Sequence, residues 1–134
     1  MPKQIFVNLP VKNLDRTMDF FAALGFDFNA QFTNEHGACM IIGENIYAML
    51  LTEPMFKGFT PKEIADATKI TEVLTCLMVD SRGEVDEMMV NVLKAGGTEV
   101  RDPQDHGFMY GRSFNDPDGH IWEVGWMDPA HVQS

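Results

Sequence analysis

The sequence predicts an α+β fold of two tandem βαβββ modules forming a cup-shaped mixed sheet within 134 residues. Three observations predict it. Each half opens on a short apolar run with the period of a strand. A capped amphipathic segment ending in glycine follows each run. Matching positions also recur along the chain: Leu9 and Val11 correspond to Leu77 and Val79 at a shift of 68, and Asn45-Ile46-Tyr47-Ala48 lies over His120-Ile121-Trp122-Glu123 at a shift of 75. The modules are expected at about residues 1–54 and 71–128 of a single domain, 1–134.

In the first half, Ile5, Val7, Leu9 and Val11 alternate with Gln4, Phe6, Asn8 and Pro10, marking a half-buried strand. Asn13 caps a helix whose apolar residues Leu14, Met18, Phe21 and Leu24 recur at helical spacing, and Gly25 suits the left-handed position after it. Three strands follow, around Phe26–Phe32, Ala38–Ile42 and Ile46–Thr52, separated by turn-rich pieces. Thr60-Pro61-Lys62-Glu63 has the form of a capping box and predicts a short linker helix near 61–66.

The second half repeats the plan. Glu72–Val79 reads as a strand, Ser81-Arg82-Gly83-Glu84 as a capping box, and Val85, Met88, Met89, Val92 and Leu93 as the apolar side of a helix ending at Gly96-Gly97. Thr98–Arg101, Gly107–Asn115 and His120–Met127 complete three more strands. In the turn Asp116-Pro117-Asp118-Gly119, Pro presets φ, Asp caps, and Gly takes the positive φ that closes a hairpin.

Composition narrows the function classes. The chain is 45% apolar and 22% charged, as an ordinary globular protein is. Its formal charge of -10 repels phosphate backbones and anionic lipid, so neither nucleic acid nor a membrane is expected as a partner. Cys39 and Cys76 sit in apolar runs without C-x-x-C spacing and read as buried thiols of a reducing compartment. Met1–Pro10 lacks the pattern of a secretory leader, and no apolar run reaches the ~20 residues of a membrane span, so a cytoplasmic protein is expected. Of the ten methionines, Met18, Met40, Met78, Met88 and Met89 are expected mostly to fill core gaps.

Two stretches carry a resemblance: Val7-Asn8-Leu9-Pro10-Val11-Lys12-Asn13-Leu14 leading to Leu24-Gly25-Phe26, and Phe114-Asn115-Asp116-Pro117-Asp118-Gly119-His120-Ile121-Trp122-Glu123-Val124. They resemble the vicinal oxygen chelate superfamily of glyoxalases, bleomycin-binding proteins, fosfomycin-resistance enzymes and extradiol dioxygenases. The group labelled predicted lactoylglutathione lyase is most similar, through Gln104–Phe114 and the tail Trp126-Met127-Asp128-Pro129. The resemblance implies a small-molecule ligand and a homodimer.

In metal-dependent relatives each module supplies one ligand from its first strand and one from its last. By the resemblance and the repeat shifts these positions fall on Phe6, Leu74, Ala48 and Glu123. Three of the four cannot bind a transition metal, and one carboxylate holds it weakly, so no metal or other cofactor is expected and a divalent ion is disfavoured. His36, His106, His120 and His131 have no ligand spacing and read as surface histidines.

Residues two apart in a strand share a face. With Phe6, Ala48, Leu74 and Glu123 inward, Asn8, Ile46, Leu50, Cys76, Ile121 and Gly125 join them. Phe6, Asn8, Ala48, Leu50, Leu74, Cys76 and Ile121 are thus the candidate substrate-binding residues, and Glu123 the candidate catalytic acid/base. If Glu123 has no partner, burial raises its pKa; the competing expectation pairs it structurally with an arginine such as Arg112. Three functions remain open: a binding protein or metal-free, lyase-like enzyme using Glu123, a metal-dependent lyase or dioxygenase with non-standard ligands, and an interaction module with a filled cavity.

Overall fold

In the computed structural model, which describes residues 1–131, the opening alternation forms β1 (Ile5–Val11) and the Asn13 cap starts α1 (Leu14–Ala23). The Asn13 side chain accepts a hydrogen bond from the Arg16 backbone N–H at 3.0 Å, satisfying a donor the first turn leaves open. Gly25, at φ +101°, closes the helix in a conformation costly for residues with a Cβ. β2 (Asp27–Phe28), β3 (Gly37–Gly43) and β4 (Ile46–Thr52) follow. The resulting sheet has the order β1-β4-β3-β2, with β1 parallel to β4 and the other pairs antiparallel.

The second half repeats this order: β5 (Leu74–Met78), α3 (Arg82–Lys94), β6 (Thr98–Glu99), β7 (Gln104–Asp105), β8 (Met109–Asn115) and β9 (Ile121–Met127). Ser81 Oγ accepts the Glu84 N–H at 3.1 Å, as its capping box predicts. The sheet runs β5-β9-β8-β6, with β7 also paired to β8 and β5 parallel to β9. The chain divides into two compact units, Met1–Ala65 and the residues from Asp66 onward. Both βαβββ modules are therefore present, each around its own mixed sheet.

In the first unit, Phe21, Met40, Ala48 and Leu50 are fully buried, and Phe21 meets Phe20 and Phe26 edge-on at 5.1 and 5.9 Å between ring centres. In the second, Val85, Met89 and Val92 of α3 are buried together with Phe114, Trp122 and Val124 of the sheet. The Asp116–Gly119 turn is knit to that core by one carboxylate. Asp116 Oδ1 accepts the N–H groups of Asp118 (2.9 Å) and His120 (3.0 Å), and Oδ2 accepts Trp122 Nε1–H at 3.0 Å.

Four expectations need correction. Residues 61–66 form no helix; the short helix is α2 (Glu53–Lys57). Thr60 Oγ1 accepts the Lys62 N–H at 3.1 Å and Lys57 Nζ donates to the Lys62 carbonyl at 2.7 Å, so a local side-chain turn replaces the capping box. The strand expected over Phe26–Phe32 stops at Phe28, because Asn29 caps a 3₁₀ turn at Ala30–Phe32 by accepting the Gln31 N–H. His120 is buried, with Nδ1 2.9 Å from Glu72 Oε1, and is no surface histidine.

The fourth correction is a register. In β1 and β4, Phe6 pairs with Tyr47, Val7 with Ala48, Asn8 with Met49 and Leu9 with Leu50. Paired residues share a face, and Phe6 and Tyr47 do stack, with ring centres 4.7 Å apart. Ala48 and Leu50 therefore lie on the buried face with Leu9, opposite Phe6 and Asn8. In the second unit Cys76 pairs with Glu123. The residue equivalent to Glu123 is thus Met49, a shift of 74, and a slip by one residue had turned β4 over.

Candidate functional site

β9 carries Trp122 and Val124 into the core and so turns Glu123, Gly125 and Met127 to the other side of its sheet. The neighbouring strands align with this row. Cys76 and Ser113 flank Glu123, Met78 and Gly111 flank Gly125, and Met109 faces Met127. This face carries a cavity of about 340 Å3, near the lower end of ligand-binding volumes.

Two glycines make the room. Gly111 and Gly125 stand directly opposite each other, and neither has the positive φ that demands glycine. A Cβ at Gly111 would have Val124 O at 3.8 Å as its nearest neighbour, and one at Gly125 would come within 3.3 Å of Met78 Sδ. Their missing side chains leave a floor of backbone that is open at Gly111 and edged by the Met78 thioether at Gly125, with Met109 and Met127 also in the lining.

At one end of this floor lies the charge. Arg101, in the segment after β6, donates from Nη2 to Glu123 Oε2 at 3.2 Å. The Glu123 side chain is 29% exposed and that of Arg101 58%, so the pair faces the opening. Glu123 therefore has a partner, contrary to the premise for a desolvated carboxylate, and the partner is Arg101 instead of Arg112. Arg112 is engaged elsewhere, with Nε and Nη2 on Glu99 at 2.9 and 3.0 Å and Nη1 on Asp86 at 3.0 Å. The Glu99 bonds chiefly hold its guanidinium pKa above the ordinary value.

Cys39 is buried as expected, but Cys76 is exposed, because it lines the cavity beside Glu123 instead of facing the core. Partial burial, and then the Glu123 charge, push its pKa up, which favours the thiol over the nucleophilic thiolate. Gln104, His106, Tyr110 and Arg112 add polar groups to the lining, Gln104 and His106 from one loop. Their loop is anchored: Asp105 pairs with Arg82 and accepts the Gly107 N–H at 2.9 Å, while the His106 N–H donates to the Met109 carbonyl at 2.8 Å. The Arg82 guanidinium also lies over the Tyr110 ring at 4.5 Å from its centre. Bonding to Arg82, then to Gly107, lowers the Asp105 pKa.

Of the residues expected at the site, the structure brings Cys76 and Glu123 to the cavity. Leu74 and Ile121 share their face of the sheet but lie outside the lining. Phe6 and Asn8 lie on the unburied face of the other unit's sheet, and Ala48 and Leu50 are in its core. Sequence reasoning missed Arg101, Gln104, Met109 and Met127, and expected Met78 in a core although it is 58% exposed. Alternation from Glu123 through Gly125 reaches Met127; the strand expected over Thr98–Arg101 ends at Glu99, so its alternation does not reach Arg101.

The residues do not fit the four-ligand metal centre. With the register corrected, the last-strand positions hold Met49 and Glu123, and the first-strand positions hold Phe6 and Leu74, or Asn8 and Cys76 one pair further along. Thioether, phenyl and alkyl groups are poor partners for a hard divalent ion, and the Asn8 and Cys76 alternative adds only a neutral amide and a thiol whose raised pKa disfavours the ligating thiolate. Among the described residues no three His, Cys, Asp or Glu side chains gather as a metal-holding group. None of the described helices is long and apolar enough to cross a membrane.

Known proteins agree with this fold. A solved structure described as hypothetical protein SA1046 from S. aureus superposes with a TM-score of 0.80 at 28% identity, covering 94% of this chain and 95% of its own. The lactoylglutathione lyase from Agrobacterium tumefaciens gives 0.71 at 17% identity, covering 98% of each chain. The fosfomycin resistance protein FosX from Mesorhizobium loti gives 0.70 at 15%, covering 97% of each. No curated protein matches the sequence. The sequence model of the Glyoxalase/Bleomycin resistance protein/Dioxygenase superfamily matches residues 3–124, nearly the whole chain, and the chain belongs to that superfamily.

Proposed function

We propose that this chain binds a small molecule in the cavity of its second module, without the four-ligand metal centre, and that Glu123 is the acid/base of any lyase-like reaction there. The observation that carries this reading is the placement of Glu123: it borders an open, mostly apolar floor and is held by one exposed arginine. A carboxylate at the edge of a concave apolar site can take or give a proton on a bound substrate. His106, on the same rim, offers a second side chain able to carry a proton.

Cys76 is a bystander in this scheme, since its raised pKa disfavours the nucleophilic form. The room above Gly111 and Gly125 supports a ligand site over a filled cavity. We also propose a homodimer, consistent with the exposed edge strand β5, whose Leu74 is 56% exposed.

A small-molecule thermal-shift screen, paired with metal analysis, tests the proposal. The expected result is hits that stabilise the wild type and lose their effect in Gly111→Val, with no transition metal retained at one per chain after dialysis. One tightly bound transition metal per chain, lost in Glu123→Ala, would overturn the metal-free reading.

A further inference from the structure

We propose that the second-module cavity selects a planar aromatic monoanion, with its ring on the Gly111–Gly125 floor and its anionic group on Arg101. This rests on the reading of that cavity as the ligand site. Three features of the cavity carry it.

The first is the floor. Two opposed glycines on adjacent strands leave a patch of pleated backbone without side chains, open above Gly111 and edged over Gly125 by the Met78 thioether, whose sulfur lies 3.3 Å from where a Cβ would stand. A thin, flat ring makes full van der Waals contact with such a patch, whereas a puckered saturated ring touches it at a few atoms. The second is the rim. Met78, Met109 and Met127 line the cavity beside the floor, and a thioether at the edge of an aromatic ring makes a favourable contact that a saturated ring does not offer.

The third is the availability of donors. Two arginines line the cavity, Arg101 and Arg112. Arg112 has three of its nitrogens committed to Glu99 and Asp86. Among the described residues Arg101 makes a single hydrogen bond, to Glu123, which leaves the rest of its five-donor fork for an incoming oxyanion. That fork matches a carboxylate in two-point geometry. The adjacent Glu123 carboxylate repels a second negative charge, so a monoanion suits the site better than a dianion. In a protein of net charge -10, a local cation with free donors is what makes an anionic ligand acceptable.

Arg101 is thus a ligand-binding residue. When the ligand's anion takes its fork, the bond to Glu123 is loosened and the carboxylate becomes available to the bound molecule.

Calorimetric titration with three probes tests this: 2-naphthoate, its fully saturated decalin carboxylate, and neutral 2-naphthalenemethanol. The expected result is that naphthoate binds at least tenfold more tightly than either analogue. Arg101→Gln should reduce naphthoate to the level of the alcohol while leaving the alcohol unchanged. Gly111→Val, with folding verified by its circular dichroism, should abolish naphthoate binding; should it fail to fold, Gly111→Ala serves with a smaller loss. Equal binding of the saturated acid or the alcohol, no binding of naphthoate, or no effect of Arg101→Gln would overturn the inference. Neutral screening hits that are lost in Gly111→Val would leave the cavity as the ligand site even then; a cavity that takes no compound at all would overturn both.

Discussion

Asp116 does more for this protein than its place in a surface-looking turn suggests. It is 4% exposed, and its two oxygens accept two backbone N–H groups and the Trp122 indole. Asp116→Ala leaves buried donors without their acceptor, and urea unfolding should show a loss of about 2–3 kcal/mol. Burial dominates in raising its pKa despite these bonds. A carboxyl raised in the folded state binds protons that the unfolded chain has released, so its contribution to stability falls as pH climbs from the ordinary carboxylate range through the raised value. Asp116→Asn should flatten that part of the stability profile. Ser113 is the opposite case: its Oγ is buried with no hydrogen-bond partner among the described residues. Ser113→Ala should be neutral or stabilising by up to about 1 kcal/mol in the same measurement.

At the scale of elements, α3 is fastened to β8 by polar contacts at the edge of its apolar interface. Tyr110 Oη donates to Asp86 Oδ1 at 2.6 Å, and Arg112 joins the same carboxylate. The Tyr110 bond is the main cause of the lowered Asp86 pKa, and Asp86 is the main cause of the raised Tyr110 pKa. A depressed carboxylate contributes stability above its unfolded pKa, and that contribution is lost as pH falls through the folded value. Tyr110→Phe should therefore lower stability at neutral pH by about 1 kcal/mol and by less in acid, read from unfolding at the two conditions. The β8–β9 turn is equally constrained. Gly119 sits at φ +87°, and a Cβ there would lie 2.9 Å from Ala67 O, so Gly119→Ala should cost about 1–3 kcal/mol.

Much of this order could be read from the sequence because local chemistry and tertiary need agree. Asn13 and Ser81 cap the helices they were expected to cap, and β9 alternates Trp122, Glu123 and Val124 in a way that fixes its buried face. β4 reads Ile-Tyr-Ala-Met-Leu-Leu-Thr, with six largely apolar residues before its terminal Thr52, so alternation does not mark which side faces water and the face of Ala48 and Leu50 is not legible from it. Thr60 offered a helix cap that a two-residue turn used instead. Arg101 escaped because the strand expected over Thr98–Arg101 ends at Glu99, and the Glu123 ion pair depends on where the chain runs after it.

For the whole molecule, membership of the superfamily fixes the architecture and leaves the chemistry to the site. The structural relatives named above share 15–28% identity with this chain and include a lyase and a resistance protein. The cavity of the second module brings together Glu123, Arg101 and the opposed Gly111 and Gly125, with Met78, Met109 and Met127 beside them. The ten methionines provide the direct test of where the ligand binds. In protein labelled with 13C at the methionine methyl groups, a stabilising small molecule from the screen should shift the signals of Met78, Met109 and Met127 and leave those of buried Met40 and Met89 in place. Shifts confined to other methionines, with these three unmoved, would contradict the assignment of the second-module cavity as the binding site.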